Sequence, residues 1–299
     1  MYVEIDVVFH SSGTPMAGRF LRNTEDVTEQ QPCILITGSW LTVKEQMPTV
    51  YAKRLVEQGY TAFIYDFRGF GKSQGEPRQA EIPARKIDDI RAAVDFVKTF
   101  SFVNPDKVGC VAVCASAQYT LAALGRGLPI ASFASVAGWY HDAASVAPFY
   151  GGGEGVGLRL NRAKEAVQTY LDSGKVVVVP AFEDGNDRAA MFFPVPYYGE
   201  PGRGAVPEWK NEMAEMSWLY WLTFDGLSAA KYVSTPSLFF HSDDCVLPNH
   251  AKQAYETVKG EKELVWSEGA QIDFYDLPAH VDRAMSALTP WFQKTLKGV

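Results

Sequence analysis

The chain is short of cysteine, of positive charge and of long apolar runs. Its four cysteines, Cys33, Cys110, Cys114 and Cys245, are scattered over 299 residues. They are too few for a disulfide framework, and none stands in a CxxC pair of the kind that holds zinc. Lys and Arg number 28 against 35 Asp and Glu, a net charge of −7 with no basic run. That balance argues against nucleic acid or an anionic membrane as the main partner. No apolar run reaches membrane-spanning length. The N-terminus "MYVEIDVVFHSSG" alternates like a strand and lacks the basic start, apolar centre and small-residue cleavage site of a signal peptide. No internal repeat or low-complexity tract appears. The reading is a soluble, cytoplasmic protein with free thiols and neither metal nor cofactor.

What is present is a rhythm. Apolar, strand-like runs at 33–39, 61–69, 107–113, 130–138, 236–242 and 262–269 alternate with helical patterns such as "MPTVYAKRLVEQGY", "IDDIRAAVDFVKTF" and "VDRAMSALTPWFQKTL". Gly59 is placed to stop the first of these helices. Strand and helix in alternation predict an α/β fold, a mostly parallel sheet covered by helices on both faces, with ligands at the carboxyl ends of the strands.

Between 139 and 233 the rhythm breaks. Stretches such as "FYGGGEGVG", "AMFFPVPYYGEPGRG" and "MSWLYWLTF" are rich in glycine, proline and aromatics. The organisation expected is therefore a core of 1–138 and 234–299 carrying a largely helical cap at 139–233. A minority of the cap's aromatics would line an apolar pocket, and most would form the insert's own core.

Several motifs together resemble the α/β-hydrolase fold family over nearly the whole chain outside the cap. "DFRGFGKS" (66–73) matches a loop pattern D-x-R-G-x-G-x-S, in which Asp66 and Arg68 are expected to pair and hold the loop. "ITGSW" (36–40) falls where many members carry His-Gly and a backbone N–H of the oxyanion hole. That places Gly38 and Ser39 there by position, with Thr37 in the histidine's place, and puts Trp40 at the pocket.

The nucleophile elbow of such a fold needs small residues two before and two after the nucleophile, because the tight turn brings backbone and helix close. In "KVGCVAVCASAQYTLAAL" (107–124), Cys114 has Ala112 and Ser116 as those flanks, whereas Ser116 would have Cys114 and Gln118. The family spacing of eight residues from Asp106 also falls on Cys114. The arrangement resembles the dienelactone hydrolases, in which cysteine replaces serine. The following helix N-terminus would favour a thiolate and offer the Ala115 N–H to an oxyanion. Cys110 reads as a core residue, and Ser116 stays open as the alternative nucleophile.

A base and its orienting acid are needed as well. "HSDDCVLP" (241–248) resembles a family loop that often reads D-x-x-V-P, and matching back from Leu247-Pro248 selects Asp244 as the acid, with Asp243 its neighbour in register; His241 reads as packed core. Where the family histidine is expected, in "EGAQIDFYDLPAH" (268–280), Gln271 stands instead. His280, on the first turn of the last helix, and His141, in "AGWYHD" beside Trp139 and Tyr140, remain open as bases, as does neither. "CASAQY" and "QIDFYD" further resemble a subgroup of this fold that includes polyketide acyltransferases.

The expected function is an ester, thioester or lactone hydrolase acting through Cys114 on an apolar or aromatic acyl substrate. An acyltransferase or cyclase on the same fold, or a silent binding protein, is the alternative. The predicted pocket is Trp40, Trp139, Tyr140 and Gln271, and a homodimer is the candidate assembly.

Overall fold

The computed structural model describes residues 2–298. Strands β1 (Val3–Ser11), β2 (Thr14–Arg22) and β3 (Gln31–Thr37) lead to α1 (Met47–Val56), β4 (Thr61–Tyr65), α2 (Pro83–Val97), β5 (Val103–Val113), α3 (Ser116–Gly125) and β6 (Ser132–Val136). After a long insert the chain returns through β9 (Ser237–Ser242), α8 (Pro248–Thr257), β10 (Lys262–Ser267), α9 (Asp273–Asp276) and α10 (Pro278–Phe292). The insert itself carries α4 (Ala143–Val146), α5 (Gly152–Ser173), β7 (Val178–Val179), α6 (Pro196–Gly199), β8 (Met213–Ala214) and α7 (Ser217–Trp221).

Eight strands form one sheet in the order β1-β2-β4-β3-β5-β6-β9-β10. The β1/β2 and β2/β4 pairs are antiparallel, and every other neighbouring pair is parallel. Strands β4, β6 and β9 are buried along their whole length, as apolar strands covered on both faces must be. Prolines stand in the first turns of α1, α2, α8 and α10, where a missing N–H costs nothing. Gly59 follows α1 at φ +77°, a conformation that suits glycine and ends the helix.

The alternating sheet expected from the sequence is present, with one strand not foreseen: β2, whose "TPMAGRFLR" lacks an uninterrupted apolar run. The insert's one long helix, α5, lies in its first half, and the second half holds only the short α6 and α7. From 174 onward it is mostly turns and irregular chain with the two-residue pairing of β7 and β8, because the prolines and glycines of 194–204 allow no helix longer than the single turn of α6. Among the described residues, no helix is long and apolar enough to cross a membrane.

The loop 66–73 is built differently from the pairing expected. Arg68 binds Asp89 on α2, Nη2 to Oδ1 at 2.7 Å, while the fully buried Asp66 takes the Lys44 ammonium at 2.7 Å and the N–H groups of Lys44 and Lys72. Asp66 and Arg68 thus both fix the loop, each through another partner. Asp66 needs a cation inside the fold, and the chain that follows β3 supplies it.

Candidate active site

The strand β5 ends at Val113 and α3 begins at Ser116, which leaves two residues for a sharp turn. Cys114 takes it at φ +58°, a left-handed conformation that a side chain with a Cβ rarely adopts. The turn is over-determined by its neighbours. The Cys114 N–H donates to the Val136 carbonyl at 3.1 Å, and the Cys114 carbonyl accepts from Trp139 and Ala117, both at 3.0 Å. Strain held in place this way presents one side chain at the carboxyl edge of the sheet.

Ser116 points elsewhere. Its hydroxyl is fully buried beside β3, donating toward the Thr37 and Val113 carbonyls at 3.0 and 3.1 Å and accepting from Thr37 Oγ1 at 2.9 Å. Only Cys114 opens onto a cavity.

That cavity has a volume of about 240 Å³. Its floor comes from loops after β3, β5, β9 and β10, and its roof from the insert, chiefly Tyr150, Met191, Phe193 and Trp221. Trp40 and Trp221 stack with centroids 4.5 Å apart at 20°, and Trp139 leans on Trp221 at 5.6 Å. Tyr140 is not part of it. Trp139 and His141 face one side of the extended segment, so Tyr140 faces the other; it is buried against Phe239 at 6.0 Å.

Around the thiol stand four groups: the Ser39 hydroxyl, the Tyr275 hydroxyl, the Ala115 N–H and the Gln271 carboxamide. Burial raises the Cys114 pKa, and these four donors act against that rise. The hydroxyls form a chain. Ser39 Oγ lies 3.1 Å from Tyr275 Oη and accepts from Tyr198 Oη at 3.3 Å. Burial pushes both tyrosines well above the ordinary phenol value, so they remain neutral donors. The Ser39 backbone N–H faces Met47 Sδ at 3.5 Å, and it is the hydroxyl that turns to Cys114.

Neither candidate histidine reaches the thiol. His141 is fully buried and locked: its Nδ1 accepts from Trp139 Nε1 at 2.7 Å, which leaves Nε2 to donate to the Trp221 carbonyl at 2.8 Å. Burial drives its pKa down to about 4. His280 does sit on the first turn of α10, but it lies outside the cavity lining, edge-on to Phe274 at 5.6 Å with Nε2 3.8 Å from Asp273. Two residues of α9 touch the two groups separately, Phe274 the His280 ring and Tyr275 the thiol. His241 is core, bonded to the carbonyls of Ser242 and Gly138 and stacked on Trp266. Asp244 is exposed at the cavity and, among the described residues, carries no hydrogen bond or ion pair, whereas Asp243 faces Lys252 at 3.6 Å.

Gln271 occupies the cavity wall as a strut. Its Nε2 donates to the Ala137 carbonyl at 2.6 Å and its Oε1 accepts from the Val246 N–H at 3.1 Å, tying the loops after β6, β9 and β10 together. Sequence reasoning missed Tyr275, Tyr198, Tyr150 and Trp221. Only Tyr275 left a local signal, one helical turn beyond Gln271 in the same segment.

The elbow after β5, the parallel sheet with an antiparallel edge and the loop cluster at its carboxyl end define an α/β-hydrolase-fold protein. Comparison with known proteins agrees. The family model described as "Serine aminopeptidase, S33" matches residues 47–114, ending on Cys114. "Uncharacterized protein YcjY" of Escherichia coli (strain K12) is 27% identical over 91% of this chain and 91% of its own length. "Acyltransferase drtE" of Aspergillus calidoustus is 25% identical over 80% of this chain and 78% of its own. Two solved structures superpose on 99% of the chain: the hypothetical protein PA2218 of Pseudomonas aeruginosa, with TM-score 0.86, 22% identity and 94% of that chain covered, and the alpha/beta hydrolase GrgF of Penicillium sp. sh18, with 0.79, 20% and 99%.

Proposed function

We propose that this protein is an acyl-transfer enzyme that accepts an apolar or aromatic acyl group from a thioester onto Cys114 and passes it to an acceptor other than water. The observation that carries this reading is the set of groups around the elbow thiol: hydroxyls, an amide and a backbone N–H, with Gln271 where a base would be required for hydrolysis.

A thioester donor fits such a site. When the Cys114 sulfur adds to the carbonyl, the oxyanion meets the Ala115 N–H and the Ser39 and Tyr275 hydroxyls. The donor's C–S bond then breaks, and the proton lost by Cys114 ends on the departing thiolate. The proton passes from one sulfur to the other, so the exchange takes up and releases none overall. An ester donor would expel an alkoxide, which needs an acid catalyst. Water attacking the acyl-cysteine would need a base. Residues 139–233 act as the cap that keeps the thioester from bulk water. The relative named as an acyltransferase supports transfer.

The test is intact-mass analysis after incubation with the benzoyl thioester of N-acetylcysteamine. The expected result is a benzoyl adduct mapped to Cys114, absent in Cys114→Ala and slow to release benzoate. Failure to acylate Cys114, or fast release of benzoate by the wild type, overturns the reading.

A further inference from the structure

We infer that the acyl acceptor is an amine, held as its ammonium ion by Asp244 and the aromatic walls of the cavity. The inference rests on the transfer reading above and adds to it the chemical class of the second substrate.

Two independent observations lead there. The first is the charge of the cavity. Its lining includes one carboxylate, Asp244, and no Lys, Arg or His among the described residues. Asp244 is exposed and has no partner among the described residues, so its charge is available to a ligand. The remaining walls are largely aromatic, with Trp40, Trp139, Trp221, Tyr198 and Tyr275 lining the space together with Tyr150, whose ring already carries the Arg159 guanidinium 5.2 Å from its centroid. Indole and phenol rings with one carboxylate and no cation in the lining are the chemistry that recognises an ammonium group. An anionic acceptor would meet repulsion and no compensating donor of positive charge.

The second observation is the reactivity that the elbow leaves available. A hydroxyl must shed its proton as it attacks, and no imidazole stands at the thiol to take it. A neutral amine adds to a thioester through its lone pair without prior deprotonation. The site therefore favours aminolysis over hydrolysis or ester formation by the nature of its missing base.

The bound ammonium, held at the exposed Asp244, releases one proton to solvent base. The freed amine adds to the carbonyl of acyl-Cys114, forming the C–N bond. The oxyanion collapses and the C–S bond breaks. The Cys114 thiolate then takes the second proton from nitrogen. The products are an amide and the free thiol.

The experiment is a single-turnover discharge of benzoyl-Cys114 enzyme, prepared as above, by phenethylamine or by its isostere phenethyl alcohol. The wild type should form the amide at least about tenfold faster than it forms the ester or benzoate. Asp244→Asn should lower the amide-to-benzoate ratio about tenfold and raise the amine concentration for half-maximal discharge, with Asp244→Glu restoring part of both. Asp244 is exposed and makes no hydrogen bond, so the variants should fold. Equal discharge by amine and alcohol, or a ratio unchanged in Asp244→Asn, overturns the amine assignment and leaves acyl transfer standing. Absence of any Cys114 adduct in the wild type overturns both.

Discussion

Gln271 donates its carboxamide N–H to the Ala137 carbonyl across 2.6 Å, joining the end of β6 to the loop after β10 immediately beside the Cys114 thiol. The same side chain accepts from the Val246 N–H at 3.1 Å, so it cannot turn without breaking a bond to two loops. Histidine at this position would bring a base to the thiol but fill neither role as well. Gln271→His should therefore raise hydrolysis of an activated ester at least about tenfold, while lowering unfolding stability by about 1–3 kcal/mol through the lost bonds. p-Nitrophenyl ester turnover and urea unfolding read the two effects. A variant with unchanged turnover would show that the base position is not within reach of Cys114.

Cys114 and Ser116 differ in what they face, and their variants should separate cleanly. Cys114→Ala removes the group that opens onto the cavity and should abolish acyl labelling. Ser116→Ala strips a buried hydroxyl from its bonds with Thr37 and Val113 and should cost about 1–2 kcal/mol of stability, with labelling retained. Thermal unfolding alongside intact mass makes the comparison. The opposite order, with labelling lost only in the serine variant, would mean that the acyl group sits on oxygen.

Much of this architecture was legible in the chain because parallel strands buried on both faces are continuous apolar runs, and the elbow announces itself as small-x-Cys-x-small. The cavity roof was not. Tyr150, Phe193, Tyr198 and Trp221 come together from single turns and irregular chain too short for a period to mark a facing side, so only tertiary packing brings them over the thiol. Ion-pair partners were equally hidden. Arg68 had Asp66 two residues away, yet it pairs with Asp89 on α2 while Lys44, from the loop after β3, claims Asp66. Tyr140 and Trp139 were read as one pocket pair, and the alternation of an extended segment sends them to opposite sides.

The Lys44–Asp66 pair carries a stability prediction of its own. Both side chains are at most 2% exposed and their charged atoms are 2.7 Å apart. Removing the ammonium in Lys44→Met leaves a buried carboxylate without a counter-charge and should destabilise the fold by about 3–5 kcal/mol. Urea unfolding at neutral pH measures it, and a loss below about 1 kcal/mol would place this pair with exposed ones.

Tyr275 should matter for chemistry more than for folding. Its hydroxyl touches the Cys114 thiol and Ser39 Oγ, where an acyl oxyanion would form. Tyr275→Phe keeps the ring packed edge-on against Tyr197 at 5.1 Å and deletes only the donor. Acylation of Cys114 should slow about tenfold to a hundredfold, with stability lowered by about 1 kcal/mol. Stopped-time intact mass on the benzoyl thioester gives the rate. An unchanged rate would remove this hydroxyl from the reacting centre.

His141 makes the protein's stability depend on pH in a defined window. Burial depresses its pKa to about 4 in the folded chain, whereas an unfolded histidine titrates near 6.5. Below that value the unfolded chain binds a proton that the folded one refuses, so stability is fully present above about pH 6.5 and is lost as the pH falls toward 4. A displacement of this size corresponds to roughly 3 kcal/mol across the window. Urea unfolding of the wild type at pH 7 and at pH 4.5 should show most of that loss. Unfolded carboxylates begin to protonate near the acid end of this interval, so the difference between wild type and variant, not the wild-type loss alone, isolates the ring. His141→Gln loses the Trp139 indole as a donor to nitrogen and should be less stable than the wild type at pH 7. Its stability should also vary less between the two pH values, because the titrating ring is gone. If the wild type and the glutamine variant lose equal stability over that interval, the buried imidazole is not the group responsible.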